Sequence, residues 1–366
     1  MNSCSAAFPL MQGSGHADSR GSDGISFRRT LRIAVVDAAP LSTLSTRADG
    51  ARWLRFIAGY GAVACASPYL ALKIIWLAGG GLGVADAAVM RDTSMVALNA
   101  LTAGMDIVGI ALALAFTHAW GFRIPAWLLL PPIWVATGFL ATFIVGLPVT
   151  VLLGSWVSES APRLTGGPVQ PWVYVIVYTE FAGLGVGLIV GFLLYARARW
   201  AETLAGSAAS GSPTAAYGAQ APLANVAAVL AGALSVLYLA WACGAAVGLS
   251  AEAAAGRTIV STVLNGLHAV TMAGAAVGVL MMVHRIGPRA PFWLVLGITW
   301  IGSASLFSWG LWEMIVVLGR AALMRGAVRS AIVDLAALVR LITGLVIGLL
   351  MVFVLVERTP ASRSSD

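Results

Sequence analysis

Eight stretches of this chain stay apolar for longer than the roughly 20 residues that a helix needs to cross a bilayer core of about 30 Å. They run from Trp53 to Leu77, Ser94 to His118, Ala126 to Leu153, Trp172 to Tyr195, Leu223 to Leu249, Ile259 to Val283, Pro291 to Leu318 and Ile332 to Val356. Lipid offers a backbone no hydrogen-bond partners, so each stretch has to satisfy its own N–H and C=O groups, and a helix does so. With 59% apolar residues, only 10% charged residues and a mean hydropathy of +0.89, the chain reads as an all-α polytopic membrane protein with eight transmembrane helices. Its first partner is the lipid bilayer.

The connections are short except for one. Residues 197–222 carry the run GSAASGSPTAAYGAQAP, whose Gly, Ser, Ala and Pro content is that of a flexible linker. The linker divides the membrane region into a first unit, 51–196, and a second, 223–358, each of four spans. Residues 1–50 are rich in Ser, Gly, Ala, Asp and Arg and have no apolar run long enough to span. They read as a disordered tail, compatible with a true start near Arg52, and 359–366 form a C-terminal tail.

The two units share sequence. His118 to Trp134 reads HAWGFRIPAWLLLPPIW, and 166 positions later His284 to Trp300 reads HRIGPRAPFWLVLGITW, with eight identities in seventeen positions. Leu-Asn-x-Leu recurs at Leu98 and Leu264 with the same offset. Trp76 and Gly83 match Trp241 and Gly248 at 165, and Gly183 and Gly187 match Gly344 and Gly348 at 161. All four spans correspond, which predicts a duplicated four-helix unit. An even number of spans per unit makes the copies parallel, related by an axis along the membrane normal.

Arginine placement orients the chain. With the N-terminus inside, ten Arg lie on the cytoplasmic side, including Arg123, Arg197, Arg285 and Arg289, against six outside, of which Arg320, Arg325 and Arg329 precede the last span. The positive-inside rule then puts both termini in the cytoplasm. The net charge of +7 sits in scattered short loops rather than along one face, so it reads as cytoplasmic loops and not as a nucleic-acid surface. Basic residues are 21 Arg to one Lys, and Ala and Gly abound, which suggests a GC-rich genome and a bacterial plasma membrane. Cys4, Cys65 and Cys243 show neither a disulfide framework nor a zinc spacing.

On this topology the duplicated tag is a cytoplasmic turn. Gly121 and Gly287 fit a left-handed helix end, and Pro125 and Pro291 fit a helix start that needs no N–H. Arg123 and Arg289 reach lipid phosphates, and Trp127 and Trp293 fit the interfacial aromatic belt. His118 and His284 alone make a poor metal set, having no carboxylate or thiol beside them. No metal or cofactor site is expected.

Ionisable groups within spans are expensive and mark the place to look for function. Lys73, Glu180, Glu313, Arg340 and Asp334 fall in one half of the membrane, with Asp106 and His268 nearer the middle. Glu180 and Arg340 lie at nearly equal depths of matched spans, so a salt bridge across the interface between the units is expected. Gly183, Gly187 and Gly191, with Gly344 and Gly348, form GxxxG patterns that allow close helix packing. Pro68, Pro131, Pro132 and Pro148 lie within spans. The run Gly79-Gly80-Gly81-Leu82-Gly83 lacks the strand and Lys-Ser/Thr ending of a phosphate loop.

No HExxH, GxSxG or Walker motif is present, so an enzyme is not the favoured class. Pro68-Tyr69-Leu70-Ala71-Leu72-Lys73, followed by Trp76, Gly79, Gly80, Leu82 and Gly83, resembles a pattern of uncharacterised actinobacterial multi-pass membrane proteins. The resemblance covers the first helix and its exit, and implies a membrane role without an assigned activity. The leading expectation is a protein that binds or transports a small solute at the interface between the units, with Lys73, Asp106, Glu180, His268, Glu313 and Arg340 as candidate binding residues. The competing expectation is a scaffold or accessory subunit contacting a membrane partner protein. A third is a lipid enzyme using Glu313 or Asp106 with His268.

Overall fold

The computed structural model describes residues 41–157, 168–210, 216–318 and 330–358. Among these residues eight helices are long and apolar enough to cross a membrane. They are α1 (Leu41–Leu77), α2 (Thr93–Thr117), α3 (Ala126–Val157), α4 (Pro171–Arg199), α5 (Tyr217–Ala242), α6 (Ile259–Val283), α7 (Phe292–Leu318) and α8 (Ala331–Arg358). No strand occurs among the described residues beyond the isolated bridges Val84–Val169 and Ser207–Pro291. Met1–Gly50 and Ala51–Asp366 are separate units. The expected tail lies outside the described residues up to Pro40, and its last ten residues are helical backbone belonging to α1. Arg163, Arg320, Arg325, Arg329 and the tail 359–366 also lie outside the described residues.

Helix boundaries follow from local chemistry. The Asp92 carboxylate accepts the Ser94 N–H at the start of α2, and Thr258 with Ser261 forms a reciprocal capping box at the start of α6. These two caps stand 166 residues apart, the offset of the repeated tag. The exits of α1 and α5 also correspond. Trp76 Nε1 donates to Leu82 O and Trp241 Nε1 to Val247 O, each at 2.8 Å. Gly79 and Gly244, at φ of 89° and 95°, reverse the chain where a side chain would be strained.

The tag turns differ in detail. Gly287 has the expected positive φ, but Gly121 does not; it sits in a short 3₁₀ helix, Ala119–Arg123, packed so closely that a Cβ would overlap the Ala115 carbonyl. Its glycine is required by close approach rather than by handedness. The histidines are tethers between helices. His118 pairs with Tyr60 at 3.3 Å, while His284 pairs with Tyr217 at 2.9 Å and with Asn225 at 2.8 Å. Trp127 and Trp293 are 72% and 55% exposed, as interfacial anchors should be.

The segment expected to be a flexible linker is tied down where it is described. Ala208 N donates to Ala290 O and Phe292 N to Gly206 O, each at 2.9 Å. Arg358 Nη2 donates to Ser207 O at 2.8 Å, and its guanidinium stacks 3.7 Å from the Phe292 ring centroid. Backbone groups left unpaired by a loop thus find partners on the tag turn and on the end of α8. Residues 211–215 lie outside the described residues.

Small residues set the helix packing. A Cβ on Gly183 would overlap Cys65 of α1, and one on Gly187 would press on Ala58 and Ala62. Gly344 lies against the Ser303–Phe307 backbone of α7, and Gly348 meets the Trp134 ring of α3. Lipid tails are as apolar as the helix surfaces, so such close approach gives contacts that lipid cannot supply. The first four helices meet the last four chiefly through α3 and α7. There Trp134 Nε1 donates to Ser303 Oγ at 3.1 Å, Ser308 Oγ to Val135 O at 3.0 Å, and Trp309 Nε1 to Thr142 Oγ1 at 3.2 Å. Phe192 and Trp300 stack beside them with centroids 5.4 Å apart.

Candidate functional site

The ionisable residues of the spans gather in two centres, one inside each four-helix group. In the first, glycine packing of α4 on α1 brings Glu180 towards Lys73, which stands one turn before Trp76. Lys73 Nζ lies 2.7 Å from Asp106 Oδ2 on α2, with 2% and 8% of their side chains exposed. The ammonium also sits 4.1 Å from the Tyr69 ring centroid, where the negative face of the ring adds attraction. Glu180 is fully buried, no donor group reaches either carboxylate oxygen, and its hydrogen-bonding neighbour is the Asp106 carboxylate. Asp106 and Lys73 both lie within electrostatic reach of it.

This first centre therefore holds two carboxylates against one ammonium. A buried charge without a counterion carries a desolvation penalty of several kcal/mol. The pair Lys73–Asp106 is balanced; Glu180 is the surplus.

The second centre is balanced. Arg340 on α8 is fully buried. Its Nη1 donates to Tyr238 Oη on α5 and to Glu313 Oε1 on α7, each at 2.8 Å, and the guanidinium lies 4.9 Å from the Tyr238 ring centroid. Its Nη2 lies 3.5 Å from His268 Nδ1 on α6, a long contact in which only the guanidinium can donate. Ser305 Oγ reaches the same nitrogen at 3.4 Å, and the His268 ring meets Trp309 edge-on at 5.3 Å. One residue from each of three other helices, Tyr238, Glu313 and His268, converges on a single guanidinium. Glu313 remains 23% exposed.

The expected Glu180–Arg340 salt bridge is not formed. Arg340 meets Glu313, because α8 packs against α7 and α5 of its own group. The charged side chains accordingly lie within the groups, whereas the interface between them is aromatic and hydroxylic. Of the candidate residues, Lys73, Asp106 and Glu180 come together, as do His268, Glu313 and Arg340. Asp334 stands apart in the first turn of α8, where a carboxylate complements the helix dipole. For the lipid-enzyme expectation, Asp106 and His268 are in different centres, and Arg340 contacts both Glu313 and His268.

Sequence reasoning missed Tyr69, Tyr238, Ser305 and Trp309. Tyr238 had a usable signal, since the 165-residue offset that aligns Trp76 with Trp241 also aligns Lys73 with Tyr238. Among the described residues no group of three His, Cys, Asp or Glu side chains is placed to hold a metal ion. Comparison with protein-family models, with curated proteins and with solved structures finds no match for this chain.

Proposed function

We propose that the chain is an integral protein of a bacterial plasma membrane that binds and moves a small cationic solute, with Lys73, Asp106 and Glu180 as its binding centre. One observation carries this reading: the Glu180 carboxyl is wholly buried, accepts no hydrogen bond from a donor group, and lies against a carboxylate that already has its cation. A static fold gains nothing from such a group, whereas a centre that takes up positive charge requires it. The reading moves the solute from the interface between the groups to the interior of the first.

The proposed architecture is two parallel four-helix repeats with both termini cytoplasmic. The paired caps at Asp92 and Thr258, the paired Trp76 and Trp241 bonds and the His118 and His284 tethers support the repeat. The excess of Arg on the side of the termini supports the orientation, and the first-helix pattern supports an actinobacterial source. A second reading, a scaffold holding a partner, is favoured by the Arg340 centre alone, because its ion pair is already closed.

The test is transport by the full chain in liposomes, with protons, sodium, potassium and methylammonium each followed separately. Movement of at least one of these above empty vesicles, lost in Glu180→Gln and in Asp106→Asn, is the expected result. Wild-type vesicles that match empty ones for all four cations would leave the scaffold reading in its place.

A further inference from the structure

We infer that the cation taken up at the first centre is a proton, carried on Glu180 and shared with Asp106. This rests on the cation-binding reading above and narrows it to one chemical species. Space argues first. Lys73, Asp106 and Glu180 are 1%, 6% and 0% exposed, and an organic ammonium needs volume that packed side chains do not leave.

Ligand chemistry argues against a metal ion. A hard cation collects several oxygen ligands around itself, but this centre offers two carboxylates, one of them already bonded to an ammonium at 2.7 Å. That ammonium would also repel the incoming ion. A proton needs neither volume nor a ligand shell. It forms an O–H bond on one Glu180 oxygen, and the resulting carboxyl donates to Asp106, which still accepts from Lys73. The proton comes from hydronium in the adjoining water, whose O–H bond breaks as the one on Glu180 forms and which leaves as water, and the centre passes from one net negative charge to none.

The groups facing Glu180 suit this exchange. From α1 come Tyr69, Lys73 and the Cys65 thiol against Gly183; from α2 comes Asp106. On the α3 side, Phe143 stacks on Phe181 at 4.6 Å and Ile144 lies against Gly185, so the neighbours of Glu180 along α4 meet apolar side chains there. On α4 itself Tyr174 lies nearly two turns towards the helix start and within electrostatic reach of Tyr69, whose hydroxyl is in turn within reach of Glu180.

Infrared difference spectroscopy of the full chain in bilayers, stepped in pH, reads the proton directly. The expected result is a reversible carboxylic C=O band that shifts in deuterium oxide, disappears in Glu180→Gln and moves in frequency in Asp106→Asn. Glu180→Asp should keep a band at a shifted position, which separates loss of the acid from loss of the fold. Identical spectra for wild type and Glu180→Gln would overturn the inference. If instead sodium, potassium or methylammonium at fixed pH raises the melting temperature of wild type but not of Glu180→Gln, the proton is wrong and the cation site stands. If neither response occurs, both are wrong.

Discussion

Lys73 and Tyr238 hold the same place in two helices: each precedes by three residues a tryptophan whose indole N–H donates at 2.8 Å to a carbonyl six residues further on. From that place Lys73 reaches Asp106, and Tyr238 accepts from Arg340. One position thus supplies the cation of one centre and a neutral acceptor of the other. The two centres share that one position and differ in charge, and the difference separates a closed ion pair from a centre with a surplus carboxylate.

The Lys73–Asp106 pair should behave as a unit. Lys73→Met leaves two carboxylates without their cation and is expected to destabilise by about 3–5 kcal/mol, whereas Asp106→Leu leaves Lys73 with Glu180 in reach and costs less, and replacing both costs less than the sum of the two. Unfolding by denaturing detergent in mixed micelles measures the three variants. Additive losses would mean that the two side chains are not coupled.

Arg340 depends on its fork as well as its charge. Nη1 serves Tyr238 and Glu313 while Nη2 faces His268, and a lysine ammonium is a single point that cannot span these partners. Arg340→Lys should therefore recover little of the roughly 3–5 kcal/mol lost in Arg340→Met. A lysine variant as stable as wild type in the same assay would reduce the centre to simple charge pairing.

Two glycines should respond to the same change with opposite sign. A methyl at Gly187 would press on Ala58 and Ala62, whereas Gly232 has nothing within 4 Å of the added carbon. Gly187→Ala is expected to cost about 1–3 kcal/mol through overpacking, and Gly232→Ala to stabilise α5 by up to about 1 kcal/mol through helix propensity. Melting temperatures falling for the first and rising for the second would bear this out.

The fold was legible in the sequence to a large extent, for a physical reason. Without water the backbone must be helical, so the length of each apolar run determines an element, and all eight runs correspond to helices. The partners of the charges were not legible. Depth along a span follows from counting residues, but direction around the helix depends on which neighbours pack there, and Arg340 turns to Glu313 because Gly344 and Gly310 bring α7 and α8 together. The partners of the linker's described residues were not legible for a related reason. Its composition speaks of flexibility, yet its carbonyls are acceptors that Arg358 can bind.

Parallel repeats require both tag turns to emerge on one face. In a cysteine-free background, Arg123→Cys and Arg289→Cys replace exposed side chains of these turns. Both are expected to react with a membrane-impermeant maleimide in inside-out vesicles and not in intact cells. Labelling from opposite faces would exclude the parallel arrangement.

The central claim is that Glu180 is present for uptake of charge and not for stability. The most direct measurement pairs the melting temperature of Glu180→Gln with its cation transport in liposomes. Because the amide replaces the surplus carboxylate of a buried centre and can donate to Asp106, melting is predicted to stay at or above the wild-type value while transport is lost. A variant that melts well below wild type, or one that transports as wild type does, would contradict the account.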